Sequence, residues 1–169
     1  MKRIIASLAV CMALCAAAAA KDYNPTPSPD GSMLAFTRDN DLWVRSVADS
    51  VETRLTFDGS PLILNGYASW VYYEEILGRA SNYRAFWWSP DSRKIGFYRF
   101  DNSQVPMFPI FSPFGQNGSL SQTRYPKAGQ TNPQVRIGIV NLQDGKTVWA
   151  DFDVDEDQYF GTPFWGADS

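Results

Sequence analysis

An all-β fold, built from repeated antiparallel four-stranded units, is what the sequence predicts. Three observations predict it. The segment "SPDGSMLAFTRDNDLWVRSV" from Ser28 is echoed by "SPDSRKIGFYRFD" from Ser89, and "FWWSPDS" (86–92) is echoed more weakly by "FWGADS" (164–169). Hairpin cues join alternating apolar runs on either side of short polar turns. The aspartates of the three copies, Asp30, Asp91 and Asp168, lie 61 and 77 residues apart, about one propeller blade each with insertions. The expected architecture is a partial β-propeller of about two to three antiparallel four-stranded blades, with one short helical excursion.

The first twenty residues stand apart. "MKR" is a basic n-region, "IIASLAVCMALC" an apolar stretch, and the alanine run ending at Ala20 offers a small-residue cleavage site. Residues 1–20 therefore read as a cleaved secretory signal peptide. They are too short and Ala-rich for a comfortable membrane span. Bulky Val10 and Leu14 precede Cys11 and Cys15, so neither looks like a lipid-attachment cysteine. The expected location is periplasmic or secreted, with no stable membrane anchor after cleavage.

Within residues 21–169 each element has a local cause. Pro29 and Pro90 preset a turn dihedral, and Asp30 and Asp91 can bond the backbone two residues on. Each turn so formed feeds an apolar strand, Met33–Phe36 and Ile95–Phe100. "RDNDL" turns the chain into a strand over Leu42–Val47. Only residues 68–84 look helical, and Gly78 limits any helix there to about two turns. Residues 101–134, rich in Pro, Gly, Asn and Ser, read as a long connection with short extended pieces. Val135–Leu142 and Lys146–Val154 form a hairpin across the Asp-Gly of "QDG".

Composition narrows the chemistry. The chain has 169 residues, a formal net charge of −3 and no histidine. Cys11 and Cys15 are its two cysteines, and both would leave with the signal. Histidine-dependent triads, Cys–His pairs, disulfides and ordinary zinc sites are thereby excluded within the mature residues, so no cofactor, metal ligand or catalytic residue is expected. An acidic balance without a basic stripe argues against nucleic acid as a partner.

The acidic run "DFDVDED" (151–157) lacks the glycine and glutamate that a calcium loop needs at its sixth and twelfth positions. Its alternation places Phe152 and Val154 on one face, as an exposed strand end would. Ser28 and Ser89 are turn residues, with no Gly-x-Ser-x-Gly motif anywhere in the chain. Trp87 and Trp88 alternate faces of a strand, with at least one in the core. Of Tyr72 and Tyr73, one packs and the other can line a site.

That site is "WVYYEEILGR" (70–79). Taken alone, Glu74 and Glu75 form a solvated helix face, with Glu75 pairing Arg79 four residues on. Their apolar flanks shift the weight. Two partly desolvated carboxylates repel unless a cation or a shared proton intervenes, and the chemistry they suit is capture of an ammonium group. Adjacent side chains cannot flank a sugar bond from opposite faces as a glycosidase pair must.

The ordered motifs "WVYYEE", "WWSPDS", "FDNSQVP" and "YPKAGQTNP" resemble the N-terminal β-propeller of dipeptidyl peptidase IV-like serine proteases, over about residues 28–169. The resemblance implies that Glu74 and Glu75 bind the free N-terminal ammonium of a peptide, so that the whole enzyme removes X-Pro or X-Ala dipeptides; Tyr72 is expected to complete the substrate-binding residues beside them. It implies a C-terminal α/β-hydrolase domain carrying the Ser-Asp-His triad, absent from this stretch, and a homodimeric full-length protein. Two features depart from the family. Tyr73 stands where a third acidic residue would, and nothing matches the arginine that an earlier segment contributes. The chain is thus expected to be an incomplete propeller whose partners are peptide N-termini, the remaining blades and the hydrolase domain, and which is inactive alone. A non-catalytic periplasmic scaffold or binding propeller is the alternative; it shares the Ser-Pro-Asp turns but not "WVYYEE" or "YPKAGQTNP".

Overall fold

The computed structural model describes residues 20–166, so the leader segment up to residue 19 and the third repeat aspartate, Asp168, lie outside the described residues. The first unit is a meander of four strands in chain order: β1 (Tyr23–Pro27), β2 (Met33–Arg38), β3 (Asp41–Ser46) and β4 (Glu52–Arg54). β2 and β3 pair from Met33 opposite Ser46 to Arg38 opposite Asp41. The turn between them, Asp39–Asn40, has φ of +51° and +64°. This is the primed-turn backbone whose twist matches the strands it joins, and Asn and Asp tolerate it. The predicted hairpin is present, though its second strand closes at Ser46 and Val47 is exposed.

The remaining strands are β5 (Ile63–Asn65), β6 (Phe86–Trp88), β7 (Lys94–Asp101), β8 (Met107–Ser112), β9 (Ser119–Arg124), β10 (Gln134–Asn141) and β11 (Thr147–Trp149). A second sheet runs β11-β10-β7-β5, with β6 also on β7. β5 faces Arg99–Asp101 and β6 faces Ile95–Phe97. The two short strands together make one broken edge strand, so the second unit is again a four-stranded antiparallel blade. Residues 66–85 are inserted at the break.

Two expectations are corrected. The stretch 101–134 is not merely a connection: β8 and β9 form a hairpin with six residue pairs, Met107 opposite Arg124 through Ser112 opposite Ser119. Pro109 and the serines hide it: β8 alternates exposed and half-buried residues, but β9 is exposed from Ser119 to Gln122 and carries no apolar alternation to reveal its partner. The strand expected over Lys146–Val154 ends at Trp149. Beyond it the Asp153 carboxylate accepts the Asp155 amide at 2.9 Å, a local side-chain bond that competes with the ladder. Phe152 and Val154 are nonetheless half-buried while the aspartates between them are exposed.

Alternation along β7 fills two cores. Ile95 and Phe97 pack with Ala35, Leu42, Val44, Leu55, Phe86 and Val140 between the blades. Tyr98 and Phe100 pack on the other face with Leu64, Ala68, Val71, Tyr72, Ala85 and Val135. Trp88 leans on the first core and Trp87 on the second, as their alternation requires.

The blades are also joined by polar contacts. Asp41 is fully buried in the first blade. It pairs with Arg54, accepts from Thr56 Oγ1 at 2.6 Å and from the Gly59 amide at 3.1 Å, and reaches Asn65 Nδ2 of β5 at 3.1 Å. A Cβ on Gly59 would stand 2.5 Å from the Asp41 carboxylate, so residue 59 has to be glycine for that approach.

The two Ser-Pro-Asp turns are superimposable in their bonding. Ser28 Oγ donates to Asp30 at 2.6 Å and Ser89 Oγ to Asp91 at 2.6 Å. The amides of Met33 and Lys94 donate back to those hydroxyls at 3.0 and 2.9 Å. The Asp30 amide also donates to Ser92 Oγ at 3.1 Å, linking one turn to the other. The serine bond holds Asp30 down at about 2 and lowers Asp91. On the outer face of the first blade, Arg38 and Arg45 each pair with both Asp22 and Glu52 at 2.6–2.8 Å. The Arg38 bond, then the Arg45 bond, brings Glu52 down to about 2, and Arg38 lowers Asp22. Carboxyls depressed on folding stabilise above their unfolded values and lose that contribution as pH falls through the folded ones. The urea midpoint of the chain is therefore expected to fall between about pH 4.5 and about pH 2. A midpoint constant across that window would show that these bonds do not support the fold.

Candidate functional site: the inserted excursion

The inserted segment leaves and re-enters the blade at one point. The Gly66 amide donates to the Tyr98 carbonyl, the Ala85 amide to Gly66 and the Tyr98 amide to Ala85, each at 2.9 Å. Gly66 has φ of +69°, and an added Cβ would meet Leu42, Thr37 and Phe86 at 3.3–3.4 Å. Above this neck, Ala68 N–H donates to Tyr83 O at 2.7 Å, and Tyr67 bridges Arg84.

The predicted helix is there, but its turn is widened. Tyr73 N–H bonds Ser69 O, an ordinary i→i−4 step, and Leu77 N–H bonds Tyr72 O at 2.7 Å, an i→i−5 step. Tyr72–Ile76 is a π-helix, a form often met at functional sites. Gly78 ends it with φ of +78°, and a short 3-10 turn, Arg79–Ser81, follows.

This register decides which glutamate meets the arginine. The sequence pairs Glu75 with Arg79 at four residues; the structure pairs Glu74 with Arg79 at five. Arg79 Nε donates to Glu74 Oε2 at 2.6 Å, with the Glu74 side chain 14% exposed and that of Arg79 75% exposed. The bond to Glu74 raises the Arg79 pKa further. Glu75 is exposed and carries no ion pair or hydrogen bond among the described residues.

One tyrosine packs as expected, but it is Tyr72, and Tyr73 does not line the cavity beside the glutamates either. Tyr72 is 1% exposed and packs against Phe100 and Tyr98, and its hydroxyl accepts the Phe160 amide at 3.1 Å. Burial pushes its phenol up to about 12. Tyr72 therefore holds the helix to the blade from below rather than lining the space beside the carboxylates. Tyr73 is half-buried and stacks on Tyr83 at 3.7 Å, and Tyr83 stacks on Tyr67 at 4.9 Å. Tyr83 carries φ of +67°, a costly conformation for an aromatic residue, kept by the stack on both its faces.

A cavity of about 340 Å³ opens beside the doublet, lined by Trp70, Glu74, Glu75, Arg79, Phe108, Ile110, Thr123 and Tyr125. Its far wall is the β8–β9 hairpin. Tyr125, from "YPKAG", sets its ring edge-on to Trp70 at 6.4 Å and to Phe108 at 5.6 Å. Phe108 and Ile110 of this wall are not evident from the sequence, because they lie in the stretch that reads as loop. The size suits a small ligand. Two carboxylates against aromatic walls, one of them already paired, can accept a single cationic N–H donor. Among the described residues no group of three or more His, Cys, Asp or Glu is arranged to hold a metal ion. Nor is any helix among them long and apolar enough to cross a membrane.

Comparison with known proteins agrees with this architecture. Residues 10–169 match the family model described as dipeptidyl peptidase IV N-terminal region. The chain is 37% identical over 164 residues to a probable dipeptidyl-aminopeptidase B of Grosmannia clavigera, covering 82% of this chain and 16% of that protein. It is 37% identical over 134 residues to a probable dipeptidyl peptidase 4 of Emericella nidulans, covering 75% and 17%. The crystal structure of Porphyromonas gingivalis dipeptidyl peptidase 4 superposes with a TM-score of 0.69 at 33% identity, over 82% of this chain and 19% of that one. The chain thus spans less than a fifth of the length of these relatives. Its two blades are part of a β-propeller, and the chain belongs to the family of the dipeptidyl peptidase IV N-terminal region.

Proposed function

We propose that this chain is the substrate-holding propeller portion of a dipeptidyl peptidase-like serine exopeptidase, and that Glu74 and Glu75 hold the N-terminal ammonium of the peptide. The observation that carries the reading is the placing of the doublet. The carboxylates sit on a tethered excursion beside an aromatic-walled cavity, and Glu75 is left open to a cation. A peptide amine held there has its first residues fixed at a set distance from the anchor. A nucleophile supplied by a hydrolase domain would then meet the second peptide bond, which is how removal of X-Pro or X-Ala dipeptides follows from the family resemblance. This chain contributes binding and orientation; with no histidine it holds no histidine base of its own. The basic n-region and alanine-rich leader support export to the periplasm or beyond.

In a full-length enzyme bearing this segment, Glu74→Gln or Glu75→Gln is expected to lower kcat/KM for free-amine peptides by about 30- to 150-fold, equivalent to about 2–3 kcal/mol for a charged hydrogen bond. Peptides acetylated at the N-terminus should lose little. An unchanged preference for free over acetylated substrates would reject the anchor.

A further inference from the structure

We propose that Arg79 is an internal stand-in for the substrate amine: it occupies Glu74, makes Glu75 the principal acceptor, and brings the empty site to a single negative charge. The inference rests on the anchoring role just proposed and concerns how that anchor is tuned.

Three observations carry it. The Glu74 side chain is mostly covered, and Arg79 Nε lies on its Oε2 at 2.6 Å. Arg79 itself is three-quarters exposed, so a single contact holds it and little packing resists its departure. The extra residue of the π turn and the positive φ of Gly78 bring Arg79 under Glu74 and leave Glu75 without an ion pair among the described residues. Two adjacent carboxylates in a partly apolar setting repel when empty. A resident guanidinium relieves that repulsion, so the site stays ordered between substrates. The same guanidinium opposes an arriving ammonium and shares Glu74 with it. Selectivity follows from this balance: one net negative charge suits one amine and gives little advantage to a dication.

The test is a titration of the full chain with Ala-Pro amide and with its N-acetylated form. Binding is followed through the glutamate side-chain carboxyl carbons by NMR, in the parent and in Glu74→Gln, Glu75→Gln, Arg79→Gln and Arg79→Lys. Glu75→Gln should weaken binding of the free amine more than Glu74→Gln does. Arg79→Gln should tighten it by about 3- to 10-fold at low ionic strength, a gain that shrinks at high salt. Arg79→Lys keeps the charge and should stay near the parent, which separates charge from any change in the turn. If Arg79→Gln leaves binding unchanged or weaker while both glutamate variants lose the free amine, the stand-in role is overturned and the anchor survives. If no protein distinguishes the free amine from its acetylated form, the anchor falls and this inference falls with it.

Discussion

Tyr72→Ala is expected to destabilise the chain by about 3–5 kcal/mol, the range for deleting a large buried aromatic side chain. The ring is 1% exposed and lies 4.8 Å from Phe100 and 6.2 Å from Tyr98. No neighbouring element is free to fill the gap, because both faces of β7 already carry a packed core. The loss should also reach the site, since Tyr72 begins the π-helix that carries Glu74 and Glu75. Tyr72→Phe separates the two effects. It keeps the ring and removes only the oxygen that accepts the Phe160 amide, so a cost of about 1–3 kcal/mol is expected. Urea denaturation gives the stability, and titration with a free-amine peptide gives the site. A Tyr72→Ala chain as stable as its parent would mean that the excursion is not seated on the second blade through this ring.

Asp41→Ala is expected to cost about 3 kcal/mol or more. The carboxylate is wholly buried and is the common acceptor for Thr56, Gly59, Asn65 and Arg54. Arg54 is 37% exposed and can rehydrate, and Asn65 keeps its bond to Asp58. Thr56 is buried and has no such relief, and a buried donor left without an acceptor costs about 1–3 kcal/mol. Because Asn65 belongs to β5, the damage should cross from the first blade to the second. Hydrogen exchange is the discriminating measurement: amides of β5 should lose protection together with those of β3 and β4. Loss confined to the first blade would show that Asp41 is not a joint between blades.

What the sequence discloses here is what short-range chemistry dictates. The Ser-Pro-Asp turns, the Asp39–Asn40 reversal and the Asp144–Gly145 reversal depend on residues within a few positions of one another. Each is found where the residues put it. The pairing of β5 and β6 with one strand is not local. Ile63–Asn65 and Phe86–Trp88 are more than twenty residues apart, and only β7 makes them a single edge. The Glu74–Glu75 doublet is visible as residues, but its partner is not. One residue of π register moves Arg79 from Glu75 to Glu74, and nothing in "YYEEILGR" announces the wider turn. Tyr72 and Tyr73 are indistinguishable on paper, and only the core beneath the helix assigns them. Asp41 reads as one more turn residue in "RDNDL". Its role depends on Thr56, Gly59 and Asn65, which the chain gathers from farther along.

The broken edge strand has a consequence for how such a site can change over generations. Its two halves end within hydrogen-bonding distance, through Gly66 and Ala85. A loop whose ends are already joined can grow, shrink or be exchanged at small entropic cost, without moving any strand by a residue. The blade then behaves as a socket, and the part of residues 66–85 that does not pack into the second core as a replaceable cartridge. Whatever the Glu74–Glu75 doublet proves to hold can be changed inside the cartridge while the socket keeps its register.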